Sequence, residues 1–390
     1  MRQALEGSQA IARAVALCRP QVVAAYPITP QTHIVENIAK LVADAQFQCE
    51  FVSVESEFSA ASVVLGAACA GSRAYTASAS QGIMLMSEVL YNIAGLRVPV
   101  VLTCANRAVS APINIWNDQQ DSMAVRDAGW LQLYCADNQE AVDTTIQAFR
   151  IAERCELPVM VCVDGFTLTH TLEPLELPSQ EAVDAFLPPY AFSRTLDPRA
   201  PLSLGTLVGP DHFTETRYLH HQAVLDAEKE IIAAARDWSS LSGRMSAPLI
   251  RVDGPPGARI GILTLGSVFG TLLDAREHFG GEPVRLLHLR AFRPFPVEAL
   301  RAATKGLSDL IVLERAISPG ADGIVAAEVR SALMGADSPP RVHNFAAGLG
   351  GRDVPLAVYA RLLEAIGTPQ PRMSPIDLDR SQLSAAAGAP

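Results

Sequence analysis

The stretch Tyr26-Pro27-Ile28-Thr29-Pro30 decides the fold that we expect. It follows the apolar run Val22–Ala25, which is typical of a buried strand, and it precedes apolar residues at helical spacing over residues 34–41. Each proline fixes its own φ and disfavours the helical region for the residue before it. The sequence therefore predicts a stiff strand-to-helix corner that presents Thr29 at the carboxyl end of a strand, where ligands bind in open α/β sheets. In the alternative interpretation, Thr29 only caps a helix whose first position suits Pro30.

Strand and helix patterns alternate outward from this corner as far as about Asp164. The predicted strands are residues 22–26, 51–54, 73–76, 98–104, 131–135 and 158–163, and the predicted helices are residues 31–43, 57–70, 83–94 and 138–155. Near-continuous apolar strands separated by helices are typical of a parallel sheet covered on both faces. The helix after Glu57 is rich in Ala, Ser, Val and Gly, which predicts very close packing.

A proline-rich segment separates this region from a second α/β pattern. The segment contains a predicted helix over residues 220–238, and its length indicates that it wraps over neighbouring surfaces. The second pattern has predicted strands 260–265, 284–289, 310–313 and 342–345, a helix over 324–333 and a loop over 290–296. We therefore divide the chain into an α/β domain (1–165), an extended wrapping segment with one helix (166–257), a smaller α/β domain (258–366) and a tail (367–390) that is loose or lies on a partner.

Composition limits the classes of function. Charged residues make up 18% of the 390 residues, below the usual share of about 25%, which favours surface buried against other chains. The net charge of −10 argues against nucleic acid or an anionic membrane as a partner. The apolar runs are too short to span a bilayer and the N-terminus lacks a signal-peptide core, so we expect a cytoplasmic protein. Seven scattered cysteines without a Cys-x-x-Cys pair indicate reduced thiols, not disulfides, zinc ligands or iron–sulfur ligands.

Two charged residues lie at predicted carboxyl ends of strands. Glu57 opens a helix, where a carboxylate gains from the helix dipole or, buried, exchanges a proton with a ligand nitrogen. Glu55, by strand alternation, faces the other way, toward solvent or an interface. Arg107 follows the strand that ends at Cys104. An arginine there grips a small carboxylate through two parallel hydrogen bonds, or it forms a salt bridge at an interface, and the sequence leaves both interpretations open.

Other segments carry weaker signals. Ser80-Gln81-Gly82 presents backbone amides to a ligand or only caps a helix, and the polar stretch 115–121 suits a lid or a subunit contact. The turn over residues 289–296 and the Gly-rich residues 348–353 are more typical of structure than of binding. The sequence has no Walker loop, no Gly-x-Gly-x-x-Gly after a strand, no His-Glu-x-x-His and no Gly-x-Ser-x-Gly.

Together these segments resemble the alpha subunit of the 2-oxoacid:ferredoxin oxidoreductases, the pyruvate:ferredoxin oxidoreductase family. The resemblance covers about residues 3–365 in one order. The segments that carry it are Tyr26-Pro27-Ile28-Thr29-Pro30, Ser56-Glu57, Ser80-Gln81-Gly82, Asn106-Arg107, Asn117-Asp118, Asp164-Gly165-Phe166, Phe292-Arg293-Pro294-Phe295-Pro296 and Gly348-Leu349-Gly350-Gly351-Arg352-Asp353. The resemblance implies a pyrimidine-type domain of the thiamine-diphosphate-binding fold, followed by a smaller domain like the carboxy-terminal domain of transketolase. Arg251-Val252-Asp253-Gly254-Pro255-Pro256 departs from the family, which often has acidic residues there.

The resemblance also implies the roles of particular residues. In the family, the residue matching Glu57 hydrogen-bonds a ring nitrogen of the cofactor's aminopyrimidine and helps move a proton. Residues matching Thr29 and Arg107 bind the carboxylate of the 2-oxoacid. These three are the predicted catalytic residues. The predicted contacts to thiamine diphosphate are, besides Glu57, Pro27, Ile28, Ser80 and Gln81, and no metal ligand is predicted in this chain.

The implied reaction is the oxidative decarboxylation of a 2-oxoacid to an acyl-CoA, with electrons passed to ferredoxin or NAD. The chain lacks a Gly-Asp-Gly diphosphate motif and a cysteine set for a cluster, so Mg²⁺ and [4Fe–4S] clusters are expected on partner chains. Those partners are a beta subunit with the diphosphate-binding domain, gamma and ferredoxin-like delta subunits and, in one variant, an NAD/FAD subunit. The alternatives are a subunit acting on an aryl 2-oxoacid such as phenylglyoxylate, a non-catalytic scaffold, and a transketolase-type or pyruvate-dehydrogenase-type subunit without iron–sulfur chemistry.

Overall fold

The computed structural model describes residues 2–367 and 373–386 of the chain. The strands are β1 Arg2–Glu6, β2 Val22–Ala25, β3 Glu50–Ser53, β4 Ala74–Ser78, β5 Val101–Asn106, β6 Leu131–Tyr134, β7 Val159–Asp164, β8 Leu172–Glu176, β9 Ile250–Asp253, β10 Ile260–Thr264, β11 Val284–Leu289, β12 Ala291–Arg293, β13 Asp309–Glu314, β14 Arg341–Ala346 and β15 Ser374–Pro375. The helices are α1 Gly7–Leu17, α2 Thr32–Ala43, α3 Glu57–Cys69, α4 Ser80–Leu85, α5 Ser87–Gly95, α6 Gln120–Ala124, α7 Asn138–Cys155, α8 Gln180–Phe186, α9 Pro210–Ser242, α10 Val268–Phe279, α11 Val297–Thr304, α12 Ile324–Leu333, α13 Ala357–Glu364 and α14 Ser381–Ala386.

The first α/β region folds around a seven-stranded sheet in the order β12-β6-β7-β5-β4-β2-β3. Every residue of β4, β5, β6 and β7 is buried, as a parallel sheet covered on both faces requires. Successive residues of a strand enter different cores, since Val101 packs with α1 and α7 whereas Leu102 packs with α3 and α5. The predicted α/β class is confirmed.

One strand of this sheet comes from the second α/β region. Residues 290–296 are not only a loop, as the sequence predicted, because β12 pairs antiparallel with β6, Ala291 opposite Leu133. Ala291 and Phe292 are fully buried, and the Phe292 ring meets Tyr134 edge-on at 6.2 Å between centroids. The second region therefore supplies the outermost strand of the first sheet, next to β6.

The second region has a six-stranded sheet in the order β15-β14-β13-β10-β11-β9. Here β9 pairs antiparallel with β11, so strand pairing in this sheet begins at Ile250, before the predicted start at residue 258. Part of the predicted tail also belongs to it, because β15 pairs with β14. Residues 373–377 of the tail thus lie on their own chain, and the prediction for residues 368–372 and 387–390 falls outside the described residues.

The connecting segment contains more regular structure than the sequence predicted. It holds two helices, α8 and α9, and α9 spans 33 residues where the pattern predicted only residues 220–238. Trp238 of α9 is fully buried and meets Phe186 of α8 at 5.0 Å between ring centroids. The N-terminal β1 and α1 were not predicted, and the predicted helix 83–94 is divided into α4 and α5 at Met86. The division into domains itself stays a prediction.

The strand order brings the candidate residues to one edge of the first sheet. Strands β5, β4, β2 and β3 are consecutive neighbours and are parallel, so their carboxyl ends lie side by side. Arg107, Ser80, the corner at residues 26–30 and Glu57 follow these four ends. None of the helices in the part of the chain that the structure describes combines the length and apolarity that a membrane crossing requires.

Candidate functional site

The proline-bounded corner exposes Thr29 without using it as a helix cap. Helix α2 begins at Thr32, two residues after Pro30, so Pro30 is not its first residue. The residue that precedes the helix is Gln31, which makes no side-chain cap. Its Oε1 instead accepts a hydrogen bond from the Ile28 N–H at 3.3 Å and so braces the corner. The capping interpretation of Thr29 is therefore wrong.

Arg107 lies directly against this corner. Its Nη1 donates to the Thr29 carbonyl oxygen at 2.9 Å, and its Nε donates to the Asn114 carbonyl oxygen at 3.0 Å. The residue is 6% exposed, and no carboxylate of the described residues lies within 4.0 Å of its guanidinium. Burial lowers the pKa of Arg107, an effect that the nearby Asp121 opposes. A buried guanidinium that has no carboxylate partner among the described residues is suited to receive an anionic ligand beside Thr29.

Asp121 organises the backbone of the same edge. Its Oδ2 accepts the Ser80 N–H at 2.8 Å and the Arg107 N–H at 3.0 Å, and its Oδ1 accepts the Asn106 side-chain amide and the Ser122 N–H, both at 2.8 Å. It is fully buried, and burial raises the pKa of its carboxyl group. Sequence reasoning missed this residue because the polar stretch 115–121 indicated a lid or a subunit contact.

Glu57 is a buried carboxylate that has no hydrogen-bond donor or cation partner in the part of the chain that the structure describes. It opens α3 after Ser56, whose Oγ caps the helix by accepting the Ser59 N–H at 3.2 Å. Glu57 is 6% exposed, and none of the described residues donates a hydrogen bond to its carboxylate. Glu55 is exposed, as alternation predicted, and its Oε1 accepts the Ser59 hydroxyl at 2.5 Å. The two acidic residues therefore occupy different environments two positions apart.

Small groups from β4 and α4 surround the Glu57 carboxylate. A Cβ added at Gly82 would lie 2.3 Å from Ser78 Oγ and 2.7 Å from Glu57 Oε1, so only glycine fits there. Ser78 Oγ is buried and, within the described residues, has no hydrogen-bond partner. A carboxylate and a hydroxyl that are both unpaired at a strand end fit a ligand with its own donors, such as a protonated ring nitrogen or an amino group. The residues present thus fit the aminopyrimidine of thiamine diphosphate.

The other residues predicted to contact the cofactor differ in how far they are exposed. Pro27 is exposed and Ile28 half-buried on the corner. Ser80 has a φ of +48° and is buried, with its hydroxyl on the Ala108 carbonyl and the Gln81 side chain. The Ser80 hydroxyl is therefore occupied within the chain. Contacts from these residues to a cofactor stay a prediction.

The Gly-rich loop of the second region supports the Arg107 side of the site. Gly351 N–H donates to the Asn117 carbonyl at 2.6 Å, and Gly350 N–H donates to Asp118 Oδ2 at 3.2 Å. Asn114, whose carbonyl holds Arg107, donates its side-chain amide to the Gly350 carbonyl at 3.0 Å. Burial raises the pKa of Asp118 to about 6. The Gly-rich loop thus packs against residues 114–118, in agreement with the structural role that its sequence favoured.

Asp164 ties the carboxyl end of β7 to the second sheet. Its Oδ2 accepts the Ser267 N–H at 2.8 Å and pairs with Arg315 at 3.2 Å, and its Oδ1 accepts the Gln119 amide at 3.1 Å. Gly266 has a φ of +67°, and a Cβ there would lie 2.7 Å from Asp164 Oδ2. No local pattern links residues 164 and 315, so the sequence did not indicate this contact.

Comparison with protein families gives two matches along the chain. A family described as pyruvate flavodoxin/ferredoxin oxidoreductase, thiamine diphosphate-binding, matches residues 13–236. A second, described as pyruvate:ferredoxin oxidoreductase core domain II, matches residues 258–357. The first match contains the candidate site.

Curated relatives cover most of the chain. Pyruvate synthase subunit PorA of Methanosarcina barkeri is 45% identical over 366 residues, which are 92% of this chain and 91% of the relative. PorA of Pyrococcus abyssi is 44% identical over 91% of each chain. Ketoisovalerate oxidoreductase subunit VorA of Pyrococcus abyssi is 38% identical over 90% of each chain.

A solved structure shares the fold. It is a 2-oxoglutarate:ferredoxin oxidoreductase from Magnetococcus marinus with 2-oxoglutarate, coenzyme A and succinyl-CoA bound. The TM-score is 0.70 at 21% sequence identity, and the match covers 94% of this chain. This chain spans 65% of the length of that solved chain.

Proposed function

Because the chain belongs to the pyruvate:ferredoxin oxidoreductase family, we propose that it is the alpha-type subunit of a thiamine-diphosphate-dependent pyruvate:ferredoxin oxidoreductase. The reaction is the oxidative decarboxylation of pyruvate to acetyl-CoA, with electrons passed to ferredoxin. One observation carries the proposal. Glu57, a buried carboxylate without a donor, and Arg107, a buried guanidinium without a carboxylate partner, lie within the described chain at one edge of four adjacent strands.

Glu57 has the environment that proton transfer to a bound cofactor requires. When bound, thiamine diphosphate supplies the carbon nucleophile and the electron sink for loss of carbon dioxide. Glu57 would hold a proton between its carboxylate and the ring nitrogen of the aminopyrimidine, and the Ser78 hydroxyl beside it can bond the same ring. Because both groups are shielded from water, the proton passes between defined partners.

Arg107 and Thr29 are suited to hold the substrate carboxylate. The Arg107 side chain is fixed through Nε and Nη1 by two carbonyl oxygens, which leaves its Nη2 and the remaining Nη1 hydrogen for an anion. The exposed Thr29 beside it can orient that anion with its hydroxyl. Because no carboxylate of the described residues pairs with the Arg107 guanidinium, its charge is available to a small 2-oxoacid, which Thr29 would help to orient.

Partner chains would complete the site. Around the candidate residues, several large apolar side chains are exposed, among them Tyr26 (36%), Phe58 (39%) and Trp116 (52%). Such exposure around a functional edge supports a subunit interface. We propose that a beta subunit brings the diphosphate and Mg²⁺ site and that gamma and delta subunits or their equivalents carry the [4Fe–4S] clusters. The cysteines of this chain are free, and five of them are buried.

The first test is the substitution Glu57→Gln in the assembled complex. Loss of the carboxylate is expected to lower pyruvate turnover by about 100-fold or more, the usual scale of general acid–base catalysis. Glu55→Gln makes the same chemical change two residues away at an exposed position and is expected to leave turnover unchanged. Equal turnover by the Glu57→Gln and wild-type complexes would contradict the catalytic proposal and would favour a scaffold role.

A second experiment addresses substrate and acceptor. The wild-type complex is assayed with pyruvate, ketoisovalerate, 2-oxoglutarate and phenylglyoxylate, with ferredoxin or NAD as acceptor. The higher identity to PorA than to VorA supports pyruvate as the preferred substrate. A preference for phenylglyoxylate with NAD would support the aryl-oxidising alternative, which none of the relatives named above favours. Absence of iron and sulfide from the complex would favour a pyruvate-dehydrogenase-type subunit.

A further inference from the structure

Three metal-ligating side chains from distant parts of the chain meet outside the candidate active site. Glu6 ends β1, His33 is the second residue of α2, and His170 lies in the turn between β7 and β8. One donor atom from each lies within 4.8 Å of the other two. His33 Nδ1 and Glu6 Oε1 are 2.8 Å apart, which is hydrogen-bond distance. All three residues are half-buried, so a small ion can reach their donor atoms.

His170 is held in an orientation that suits a metal ligand. Its Nδ1 lies 2.7 Å from Thr169 Oγ1, which also accepts the Phe166 N–H at 2.9 Å. With Nδ1 donating to this hydroxyl, Nε2 carries the free lone pair. The ring lies between those of His33 and Phe166, with centroids 4.4 Å and 4.7 Å away. Metal-binding histidines are usually oriented in this manner through their second ring nitrogen.

We propose that Glu6, His33 and His170 bind a divalent transition-metal ion, with Zn²⁺ as the most suitable. Two imidazole nitrogens and one carboxylate oxygen are ligands of Zn²⁺ and its neighbours, whereas Ca²⁺ and Mg²⁺ prefer oxygen ligands alone. Binding of the ion replaces the hydrogen bond between His33 and Glu6 and releases its proton to solvent. Tetrahedral zinc needs donor atoms about 3.3 Å apart, so small rotations of the His170 and Glu6 side chains complete the set, with water in the fourth position.

Such an ion would restrict the movement of the corner at residues 26–30, which carries Thr29. His33 lies one residue after the start of α2, which follows that corner, and the other two ligands belong to β1 and to the loop after β7. An ion bound to all three segments restricts the movement of the α2 N-terminus relative to the sheet. The site does not depend on thiamine diphosphate or on the proposed reaction, and its test is separate from theirs.

The test is titration of the full-length, chelator-treated chain with Zn²⁺ by isothermal calorimetry, with thermal unfolding followed in parallel. We expect one equivalent to bind with micromolar or tighter affinity and to raise the melting temperature, since ligands that bind only the folded state stabilise it. His33→Ala and His170→Ala should each weaken binding by about 100-fold or more. Thr169→Val, which removes the hydroxyl that orients His170, should weaken it by about 10-fold.

His212→Ala is the matched control, because His212 lies exposed on α9. It should bind Zn²⁺ as the wild type does. A second control separates binding from folding. Glu6→Gln retains a hydrogen-bonding partner for His33 but removes the charge, so it should keep the unliganded melting temperature while losing most of the zinc-induced increase. Zinc binding that is absent from the wild type, or that is unchanged in both His33→Ala and His170→Ala, would overturn the proposal.

Discussion

Asp121 is a buried carboxylate that arranges the backbone of the candidate site through four hydrogen bonds. It receives the N–H groups of Ser80 and Arg107 on one oxygen and those of Asn106 and Ser122 on the other. Because Ser80 follows β4 and Arg107 follows β5, the carboxylate links the ends of two neighbouring strands. In the proposed function, Asp121 is a positioning residue that acts through Arg107.

We expect Asp121→Asn to separate positioning from catalysis. Whichever way the new amide is turned, its NH₂ group faces two donors, and leaving buried donors unpaired costs about 1–3 kcal/mol each. Arg107 would then be held less firmly, so the fold increase in KM for pyruvate should be several times larger than the fold decrease in kcat. Steady-state kinetics of the complex measure both constants. Asp44→Asn, at an exposed position, is the control. An unchanged KM in the Asp121→Asn variant would argue against a positioning role for Asp121.

At the scale of secondary-structure elements, Glu314 links the end of β13 to the start of α12. Its carboxylate accepts the Val325 N–H at 2.8 Å and the Ala326 N–H at 3.1 Å, and it is 1% exposed. Burial outweighs these hydrogen bonds and raises the pKa of Glu314 from 4.5 to about 7. A Cβ at Gly323 would lie 2.0 Å from Glu314 Oε1, so glycine is required where the helix meets the carboxylate.

This raised pKa predicts a stability that decreases as pH increases. The folded state binds the Glu314 proton more tightly than the unfolded state does. The protonated carboxyl therefore adds its full stabilisation to the free energy of unfolding below the pKa of the unfolded state. That stabilisation is lost as pH rises through the pKa of the folded state. Relative to Glu314→Gln, which does not titrate, the free energy of unfolding of the wild type should fall by about 2 kcal/mol between about pH 5.5 and about pH 8. Urea denaturation at each pH measures the difference.

The exposed Glu277→Gln provides the matched control for this titration. Its difference from the wild type should stay constant over the same pH range. A difference for Glu314→Gln that is equally constant would show that Glu314 has no raised pKa in the folded chain.

At the scale of the whole molecule, a buried ion pair joins the two α/β regions. Asp164 and Arg315 are 1% and 6% exposed and lie 3.2 Å apart. The Arg315 carbonyl also accepts the Gln119 N–H at 2.8 Å, which places the pair next to the segment that leads to Asp121. The relative position of the two sheets is thus coupled to the backbone of the candidate site.

Breaking this pair should destabilise the chain strongly. Arg315→Met leaves the buried Asp164 without its counterion. We therefore expect the free energy of unfolding to fall by about 3–5 kcal/mol. Adding Asp164→Asn should restore part of that loss, because the unpaired charge is removed. Urea denaturation of the single and double variants measures the coupling. Arg19→Met, which removes an exposed pair with Asp184, should lower the free energy of unfolding by less than about 1 kcal/mol. Equal losses for Arg315→Met and Arg19→Met would contradict this view.

Local patterns in the sequence determined the strands of the first sheet and the edge that carries the site. Apolar runs, proline positions and helix starts act over a few residues, so the positions of Thr29, Glu57 and Arg107 after β2, β3 and β5 followed from the sequence alone. Their roles came from a family resemblance, because one charged residue at a strand end fits several functions. The structure then brought Arg107 within hydrogen-bond distance of Thr29.

Tertiary structure alone decided the contacts that join distant segments. The addition of β12 to the first sheet, the Asp164–Arg315 pair and the approach of His170 to Glu6 and His33 each join residues more than one hundred positions apart. Periodicity carries no information at that range, since a polar residue in a loop has the same local pattern whether it is solvated or buried against a partner. Only the folded chain specifies which of these polar groups are removed from water, and burial is what turns an ordinary carboxylate or imidazole into a structural or functional one.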